Sequence, residues 1–277
     1  MIFVLIGFVN IIPDNKDVLI SGCDTVVGHI LAIELDKQGF NVFAGVHIPD
    51  NKTILKAKLS RRATIFHLDI TKEEDIDTVF ELVQKKTNTL HGLINNARII
   101  THGYIDWTPI ELMRKIMNVN FFGHVAMTKK VLTIADKKSS VSCKSFSDCL
   151  RQEMASWGLK VSIIEPGILR TRMNEGYADI LQNLWNELSN DIQERWGNGF
   201  LNSLITQGIS SPIIKHPDDL KTVVRAVQHA VMNINPCIRY RPGWQAKLFF
   251  IILYLTLVWL IDKILARVYH LVPNGVR

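Results

Sequence analysis

The sequence predicts a doubly wound α/β domain, in which helices cover both faces of a mainly parallel sheet. From residue 17 onward, short runs of β-branched and apolar residues alternate with amphipathic helical stretches. This alternation is typical of βαβ units, which build parallel sheets. Of the 277 residues, 47% are hydrophobic, so the chain can bury a sizeable core and is not mainly disordered.

The first part of the chain contains four predicted strands in regular order. They are VLIS, NVFAGV, ATIFHL and HGLINNA, at residues 18–21, 41–46, 63–68 and 91–97. A glycine turn and the helix GHILAIELDKQG follow the first strand, and a lysine-rich stretch compatible with a helix follows the second. The segment TKEEDIDTVFELVQKK predicts another helix, with a threonine cap, acids in its first turn and lysines in its last.

The alternation breaks after residue 97. Three helices are predicted in succession, from the segments TPIELMRKIMNV, FFGHVAMTKKVLTIADKK and SFSDCLRQEMASWG, before the next strand KVSIIEPG at 160–167. A parallel strand should return between the second and third of these helices, but only SSVSC lies there. A strand of five or six residues with its loops needs more room. We therefore expect one central strand to be missing.

The remainder predicts a helix near residues 178–195, a loop, the helix HPDDLKTVVRAVQHAVM and a last strand in CIRYRP. Pro217 and the two aspartates after it mark the predicted start of that last helix. No internal repeat, low-complexity tract or second domain is visible. The predicted division is a hydrophobic N-terminal segment at 1–16, one domain at 17–243 and a hydrophobic, helical C-terminal segment at 244–277.

Composition narrows the class of partner. The formal net charge is +6, but no Lys/Arg cluster is interleaved with aromatic residues, which argues against nucleic-acid binding. A basic surface resting on anionic lipid fits this charge better. The four cysteines lack metal-type pairing such as C-x-x-C, so we expect no metal site and reduced thiols in a reducing compartment.

Two apolar stretches bear on membrane contact. MIFVLIGFVNII, at 1–12, lacks a basic leader and a cleavage site, which argues against a cleaved signal peptide. LFFIILYLTLVWLI, at 248–261, is flanked by basic residues. Both are shorter than the roughly 20 residues that span a bilayer. A buried helix and membrane association, embedded or interfacial, are both open for the second stretch, and we favour membrane association.

Two short motifs follow predicted strands. SGCDTVVGH, at 21–29, places Gly22 and Gly28 in a turn between a strand and a helix, where glycines let the backbone approach a dinucleotide pyrophosphate. INNAR, at 94–98, ends the fourth strand with asparagines that can tie neighbouring strands together beside a cofactor cleft. An ordinary tight turn and an ordinary asparagine-rich turn are the alternatives for these motifs.

Taken together with HLDIT, NVNFFG and SIIEPG, these motifs resemble, in order and spacing, the short-chain dehydrogenase/reductase family, whose sheet is Rossmann-like. The resemblance covers roughly residues 17–270. FSDCLRQEMASWGLKVSIIEPGILRT and RYRPGWQAKLFF are similar to the branch that contains retinol dehydrogenases and 17β-hydroxysteroid dehydrogenases. That branch is largely microsomal and membrane-bound, and it acts on apolar alcohols and ketones.

The resemblance implies a nicotinamide cofactor and a set of site residues. NAD is favoured by family analogy, and NADP stays open because AGVHIPD offers no acidic residue directly after the second strand. The implied catalytic residues are Asn120, Ser140 and Lys144. The implied cofactor-binding residues are Ser21, Gly22, Asp24, Gly28, Asp69, Asn95, Ala97, Pro166, Gly167 and Thr171.

The catalytic tyrosine of the family is missing. In the family, a tyrosine phenol transfers the hydroxyl proton, and a lysine four residues later lowers the pKa of that phenol. Here Ser140 stands four residues before Lys144, and all five tyrosines lie outside 137–154. Ser139 or Ser140 matches the family's serine, or Ser140 takes the tyrosine's place. Lys144 matches the lysine, with a solvated helix lysine as the alternative.

The cofactor turn also departs from the family pattern. Val26 replaces the middle glycine of the turn, and a β-branched residue brings a Cβ into that space. Arg98 replaces the glycine of N-N-A-G, where a long cation either obstructs the cleft or contacts a phosphate. We favour obstruction.

The resemblance implies a membrane-associated oxidoreductase of the retinol/steroid type, acting on an apolar lipid such as a retinoid or steroid. The missing tyrosine predicts impaired activity, because an alkyl hydroxyl is far less acidic than a phenol near pKa 10. The endoplasmic reticulum is the expected location, with the domain facing a reducing compartment, and homo-oligomerisation is open. The alternatives are a non-catalytic member that binds a lipid, cofactor or partner, and an inactive splice form that lost the strand and the tyrosine.

Overall fold

A seven-stranded sheet flanked by helices forms the scaffold. The computed structural model describes residues 2–6, 12–134, 146–169, 176–248, 259–260 and 262–263. The strands are β1 (Ile2–Ile6), β2 (Asp17–Ile20), β3 (Asn41–Val46), β4 (Thr64–His67), β5 (Gly92–Asn95), β6 (Lys160–Ile164) and β7 (Arg239–Tyr240). Their order across the sheet is β4-β3-β2-β5-β1-β6-β7.

Eleven α-helices are present in the described ranges. They are α1 (Val26–Lys37), α2 (Pro49–Lys56), α3 (Glu73–Lys86), α4 (Ile110–Met117), α5 (His124–Ile134), α6 (Phe146–Ala155), α7 (Tyr177–Asn186), α8 (Asn190–Trp196), α9 (Asn198–Ser210), α10 (Pro212–Lys215) and α11 (Leu220–Met232). A 3₁₀ turn at Ile105–Trp107 precedes α4, and a π-helical stretch at Asn118–Gly123 joins α4 to α5.

The predicted parallel sheet is confirmed. β2 pairs in parallel with β3 and β5, β3 pairs in parallel with β4, and β6 pairs in parallel with β7. Leu19, Phe43 and Leu93, one from each of three adjacent strands, are buried in one hydrophobic core. Residues of α3, α5 and α6, including Phe80 and Met127, complete that core. The lysine-rich stretch after β3 is indeed helical and forms α2.

The place where a parallel strand was expected is filled by an unexpected one. β1 lies between β5 and β6 and pairs antiparallel with both. The prediction that no parallel strand returns between α5 and α6 concerns residues 135–145 and stays a prediction. SSVSC, the only candidate for that strand, falls in 135–145, outside the described residues.

Two predictions for the later helices are wrong. The helix expected near 178–195 is interrupted, so that α7 and α8 are separate, and the expected loop after it contains α9 and α10. Side-chain packing explains the change. Leu181 and Leu184 from α7 and Phe200 from α9 are buried with Trp107 in a second hydrophobic cluster. The apolar residues of the supposed loop therefore belong to a packed helical layer.

Two predicted helix starts are also wrong. The N-cap of α3 is Lys72, because the hydroxyl of Thr71 donates to Asp69 Oδ1 at 2.7 Å instead of capping the helix. The last long helix begins at Leu220, and Pro217 and Asp218 precede it. The backbone N–H of Asp218 donates to the carbonyl of Ile168 at 2.8 Å, which keeps that residue out of the helix.

The chain divides into two compact units, which are described separately. The first unit comprises Met1–Ile99, Ile116–Pro166 and Leu220–Pro242, and contains the sheet. The second comprises Ile100–Lys115, Gly167–Asp219 and Gly243–Arg277, and contains the Trp107 cluster. The boundaries predicted from sequence, at 17–243 with flanking segments, stay a prediction.

The described residues include no helix that combines the length and the apolar character needed to cross a membrane. Of the predicted C-terminal segment, the structure describes residues 244–248, 259–260 and 262–263. Most of the apolar run at 248–261 lies outside the described residues.

Candidate functional site

The turn between β2 and α1 is held in a tight conformation by its own residues. Gly22 has φ +70°, in the left-handed region that favours glycine. Thr25 is the N-cap of α1, and its hydroxyl accepts from the N–H of Gly28 at 3.3 Å and donates to the carbonyl of Gly22 at 3.0 Å. Because Gly28 N–H is used in this way, the N–H groups of Val26 and Val27 are the orphan donors at the start of α1.

Asn96 ties this turn to the end of β5. Its side-chain N–H₂ donates to the carbonyls of Ser21, at 3.1 Å, and Gly22, at 2.9 Å, and lies 3.3 Å from Thr25 Oγ1. In return, the hydroxyl of Ser21 accepts from the backbone N–H groups of Asn96, at 3.1 Å, and Ala97, at 3.2 Å. These contacts join the carboxyl ends of β2 and β5, together with the backbone N–H of Ser21, which donates to the carbonyl of Ile94 at 3.1 Å.

The two glycines of the turn leave no room for side chains. A Cβ on Gly22 would lie 2.5 Å from the Cα of Ala97, and a Cβ on Gly28 would lie 2.3 Å from the carbonyl oxygen of Gly22. These neighbours are backbone atoms, so they cannot give way. The predicted residues Ser21, Gly22, Gly28 and Ala97 thus come together in one place.

Asp24 and Asp69 follow β2 and β4, and the protein uses both carboxylates. Asp24 accepts from the backbone N–H groups of His47, at 2.6 Å, and Ile48, at 2.9 Å. Asp69 accepts from the backbone N–H of Thr71 at 3.0 Å and from its hydroxyl. Partial burial raises the pKa of Asp69, but the hydrogen bonds from Thr71 and the nearby positive charge of Lys72 together bring the pKa below its ordinary value.

Asn95 is fully buried beside the turn. Its side-chain N–H₂ donates to Thr128 Oγ1 at 3.1 Å, and its Oδ1 has no donor among the described residues. Near it, the ring Nε2 of His124 lies 2.7 Å from the carbonyl of Ala97. Burial lowers the pKa of His124, so this imidazole is neutral near pH 7 and donates to that carbonyl.

Asn120 lies in the π-helical stretch and binds the chain that follows β5. Its Oδ1 accepts from the backbone N–H of Ile99 at 2.9 Å, and its Nδ2 donates to the carbonyl of Ile99 at 2.8 Å. This pair of bonds commits the side-chain amide to the backbone. Short π-helical segments are frequent at functional sites.

The other predicted site residues that the structure describes belong to different units. Pro166 lies two residues after the end of β6 and belongs to the first unit, whereas Gly167 belongs to the second unit. There a Cβ on Gly167 would meet Asp218 Oδ2 at 2.9 Å and the side chain of Gln245 at 2.8 Å. Three predicted residues, Ser140, Lys144 and Thr171, lie outside the described residues.

Of the tyrosines in the described ranges, Tyr240 is the one that shares the first unit with Asn120. Tyr104 and Tyr177 belong to the second unit and pack with its aromatic cluster. The hydroxyl of Tyr240, on β7, lies 2.7 Å from His229 Nδ1 and accepts from the N–H of Cys237. Burial raises the pKa of Tyr240 to about 12, opposite to the change that a catalytic phenol needs.

Arg98 follows Ala97 directly and is partly buried. No hydrogen bond or ion pair joins its guanidinium to another described residue, and burial lowers its pKa.

A cavity of about 850 Å³ lies elsewhere in the first unit, between α3 and α5, with Ile70, Phe122 and Lys129 in its wall. None of the residues predicted from sequence lines that cavity.

Sequence reasoning missed two residues of the site. Asn96 was quoted within INNAR but not selected, although it is the asparagine that binds the glycine turn. The signal was present, because Asn96 directly follows the last residue of the strand. His124 was also missed, and a histidine at the start of a helix carries no pattern that would have identified it.

The chain matches known proteins over most of its length. Residues 16–142 match the short chain dehydrogenase family. The 17-beta-hydroxysteroid dehydrogenase type 6 of Bos taurus is 34% identical over 284 residues, covering 91% of this chain and 88% of the relative. Retinol dehydrogenase 7 of Mus musculus is 32% identical over 278 residues, again covering 91% and 88%.

Solved structures share the fold. A short-chain dehydrogenase from Streptomyces avermitilis superposes with a TM-score of 0.64 at 20% identity, covering 92% of this chain and 95% of that chain. An actinorhodin polyketide ketoreductase with NADPH superposes with a TM-score of 0.59 at 17% identity, covering 82% and 95%.

Proposed function

Because this chain belongs to the short-chain dehydrogenase/reductase family, in the retinol and 17β-hydroxysteroid dehydrogenase branch, we propose that it binds a nicotinamide dinucleotide and an apolar alcohol or ketone with little turnover. The observation that carries the binding part is the turn from Ser21 to Gly28, locked to β5 by Asn96. The family relation itself supports a nicotinamide cofactor.

The start of α1 fits a pyrophosphate. The N–H groups of Val26 and Val27 are free of intrahelical acceptors, and the positive end of a helix dipole favours an anion. A nicotinamide cofactor bound at this turn would supply the donor or acceptor of a hydride. Val26 and Arg98 work against this fit, since each adds a side chain where the family has glycine.

We propose that the proton-transfer part of the site lacks its phenol. The side-chain amide of Asn120 is held by the backbone of Ile99, so we propose that this residue positions the chain after β5. Tyr240, with its raised pKa, lies on β7 in contact with His229. General acid–base catalysis typically contributes about 10²–10⁴-fold, so we propose that turnover is reduced by a factor of that order.

The cofactor is proposed to be NAD on the family resemblance. β3 ends at Val46 without an acidic side chain, and the nearby Asp24 carboxylate is occupied by the N–H groups of His47 and Ile48. Neither a free carboxylate for the ribose hydroxyls of NAD nor an arginine for the phosphate of NADP is apparent among these described residues. Binding of both dinucleotides therefore has to be measured.

The substrate and location are proposed together. A retinoid or steroid fits a membrane surface as its source, and the relatives are named for such substrates. Trp244, Leu248 and Trp259 are each about half exposed in the C-terminal part of the chain. Exposed aromatic and apolar side chains with basic neighbours suit contact with a lipid interface. We propose that the protein associates with the endoplasmic reticulum membrane.

The full chain in detergent or lipid is expected to bind a dinucleotide without efficient turnover. Calorimetry with NAD(H) and NADP(H) should give saturable binding, while absorbance at the nicotinamide band should show turnover of a retinoid or steroid about 10²–10⁴-fold below that of the Bos taurus relative. The relative, purified in the same way, is the control. Turnover equal to that of the relative would overturn the proposed impairment. Absence of dinucleotide binding would overturn the proposed binding function and favour an inactive form of the protein.

Arg98→Gly is expected to tighten dinucleotide binding. It removes a partly buried cation that has no acidic partner among the described residues, and it restores the residue type of the family motif. A gain on the order of tenfold in Kd, or about 1.4 kcal/mol, is expected by calorimetry. Arg61→Gly, at an exposed arginine, is the control for the same charge change. Weaker binding by Arg98→Gly alone would show that Arg98 contacts a phosphate.

A further inference from the structure

β1 is the only strand of the described sheet that has no parallel neighbour. Its register with β5 runs from Phe3 opposite Asn95 to Ile6 opposite Gly92. Its register with β6 runs from Ile2 opposite Ile164 to Ile6 opposite Lys160. Every residue of β5 and every residue of β6 therefore has a partner in β1.

The position of β1 in the sheet is an interior one. Without it, β5 and β6 would each present an unpaired edge in the middle of a sheet that helices cover. Buried backbone N–H and C=O groups that lack partners are costly, and an open edge promotes association with other chains. β1 precedes β2 in the sequence, so no βαβ crossover places it between β5 and β6. β1 runs antiparallel to both of its neighbours, whereas strands joined by βαβ crossovers run parallel to one another.

The sequence of β1 suits an interior strand. IFVLI contains five apolar residues and no proline, glycine or charge. Strands buried on both faces read as continuous apolar runs, whereas half-buried strands alternate. The neighbouring strand β5 is buried along its whole length, and β6 along all but its first residue. An apolar pentapeptide segment therefore matches both the length and the surroundings of the gap.

We propose that the gap between β5 and β6 is a strand-binding site for a short apolar segment in antiparallel orientation, and that β1 of the same chain is its occupant. β1 thereby occupies the place between β5 and β6, in a sheet from which the sequence predicts a parallel strand to be missing. This inference does not rest on the proposed function, because it concerns the stability of the sheet.

The direction of β1 sets the edge of the sheet at which it ends. In a parallel strand, the residues after the strand emerge at the carboxyl edge, beside Asn95 and Ala97. The carboxyl end of β1 instead lies opposite Gly92 and Lys160, the first residues of β5 and β6. β1 therefore ends at the amino edge of the sheet, and its pairing completes the hydrogen bonding of β5 and β6.

Cysteine cross-linking tests both the occupant and its direction. In a full-length chain with its native cysteines changed to alanine, Leu5→Cys is combined with Val161→Cys, its antiparallel register partner. The matched control combines Leu5→Cys with Ile163→Cys, which would face Leu5 only if β1 ran parallel to β6 about the same centre. Directly opposite residues have Cα atoms about 4.5–5.5 Å apart, within the range of a disulfide.

Mild oxidation should form an intrachain disulfide at least tenfold faster in the Leu5→Cys/Val161→Cys chain than in the control. Equal rates, the reverse preference, or cross-links only between chains would overturn the proposal.

Hydrogen exchange on the unmodified chain gives a second measurement, which does not depend on whether a variant folds. Amides of residues 2–6 should be protected like those of β5, and immediate exchange at 2–6 would contradict occupancy.

Peptide binding tests the site itself. Val4→Pro removes a donor from the centre of β1 and weakens its pairing. A labelled peptide of residues 1–8, followed by three lysines for solubility, should bind full-length Val4→Pro at least tenfold more tightly than the unmodified chain. The same peptide with proline at position 4 should bind neither. Equal binding to both chains, or by both peptides, would overturn the proposed site.

Discussion

Gly22→Ala is expected to lower the free energy of unfolding by about 3 kcal/mol. A left-handed conformation costs an alanine about 1–2 kcal/mol, and a forced fit in a packed region costs about 1–3 kcal/mol more. Here the added Cβ would lie 2.5 Å from the Cα of Ala97, a backbone atom in β5's continuation. The same clash separates the turn from β5, so dinucleotide binding should be lost as well.

Gly158→Ala is the matched control for that change. Gly158 has φ +72°, almost the same as the +70° of Gly22, but nothing lies within 4 Å of the place that an alanine methyl group would occupy there. Its cost should therefore be only the conformational part, about 1–2 kcal/mol. Urea unfolding of both variants, compared at equal m-values, isolates the clash. Equal losses in the two variants would mean that the close approach of Gly22 to Ala97 is not a constraint.

Asn96→Ala is expected to destabilise the chain by about 1–3 kcal/mol, because the carbonyl of Ser21 loses its side-chain donor, whereas the carbonyl of Gly22 keeps the hydroxyl of Thr25 as a donor. The side chain of Asn96 serves the carbonyls of Ser21 and Gly22 and contacts Thr25. It is the link between the glycine turn and β5. Its loss should also weaken dinucleotide binding, since the turn would no longer be held against the sheet.

Asn95→Ala provides the comparison within the same motif. Asn95 and Asn96 are both buried, at 0% and 2% exposure, and the substitution removes the same atoms. Asn95 donates once, to Thr128, and its Oδ1 has no donor among the described residues, so its loss should cost about half as much or less. Thermal and urea unfolding of the two variants measure the difference. A larger loss of unfolding free energy for Asn95→Ala than for Asn96→Ala would contradict the linking role assigned to Asn96.

Local patterns account for the parts of the fold that were predicted correctly. β3 was predicted at its observed bounds, since a run of β-branched and apolar residues between turns needs no distant information. The glycine turn was recognised for a similar reason, because a positive φ at Gly22 is a local requirement. Predictions failed where packing decides. Residues 198–215 were assigned to a loop, but burial of Phe200 and Leu201 with Trp107 makes helices there.

The candidate site was predicted in part. Ser21, Gly22, Gly28 and Ala97 come together as expected, whereas Asn96 was identified only by its contacts. Two neighbouring asparagines look alike in a sequence. Which one reaches the turn depends on the direction of each side chain at the strand end, and this alternates from one residue to the next.

The sequence by itself determined the parallel α/β class, the glycine turn, the lack of a tyrosine in the expected window and the lack of room for a central strand. These features follow from residue types and spacings along the chain. Only the tertiary structure decided that β1 fills the central gap, that it runs antiparallel, and that Asn96 bonds to Ser21, which is 75 residues away. Strand pairing depends on which backbone edges remain open after the rest of the sheet has formed, and no local pattern contains that information.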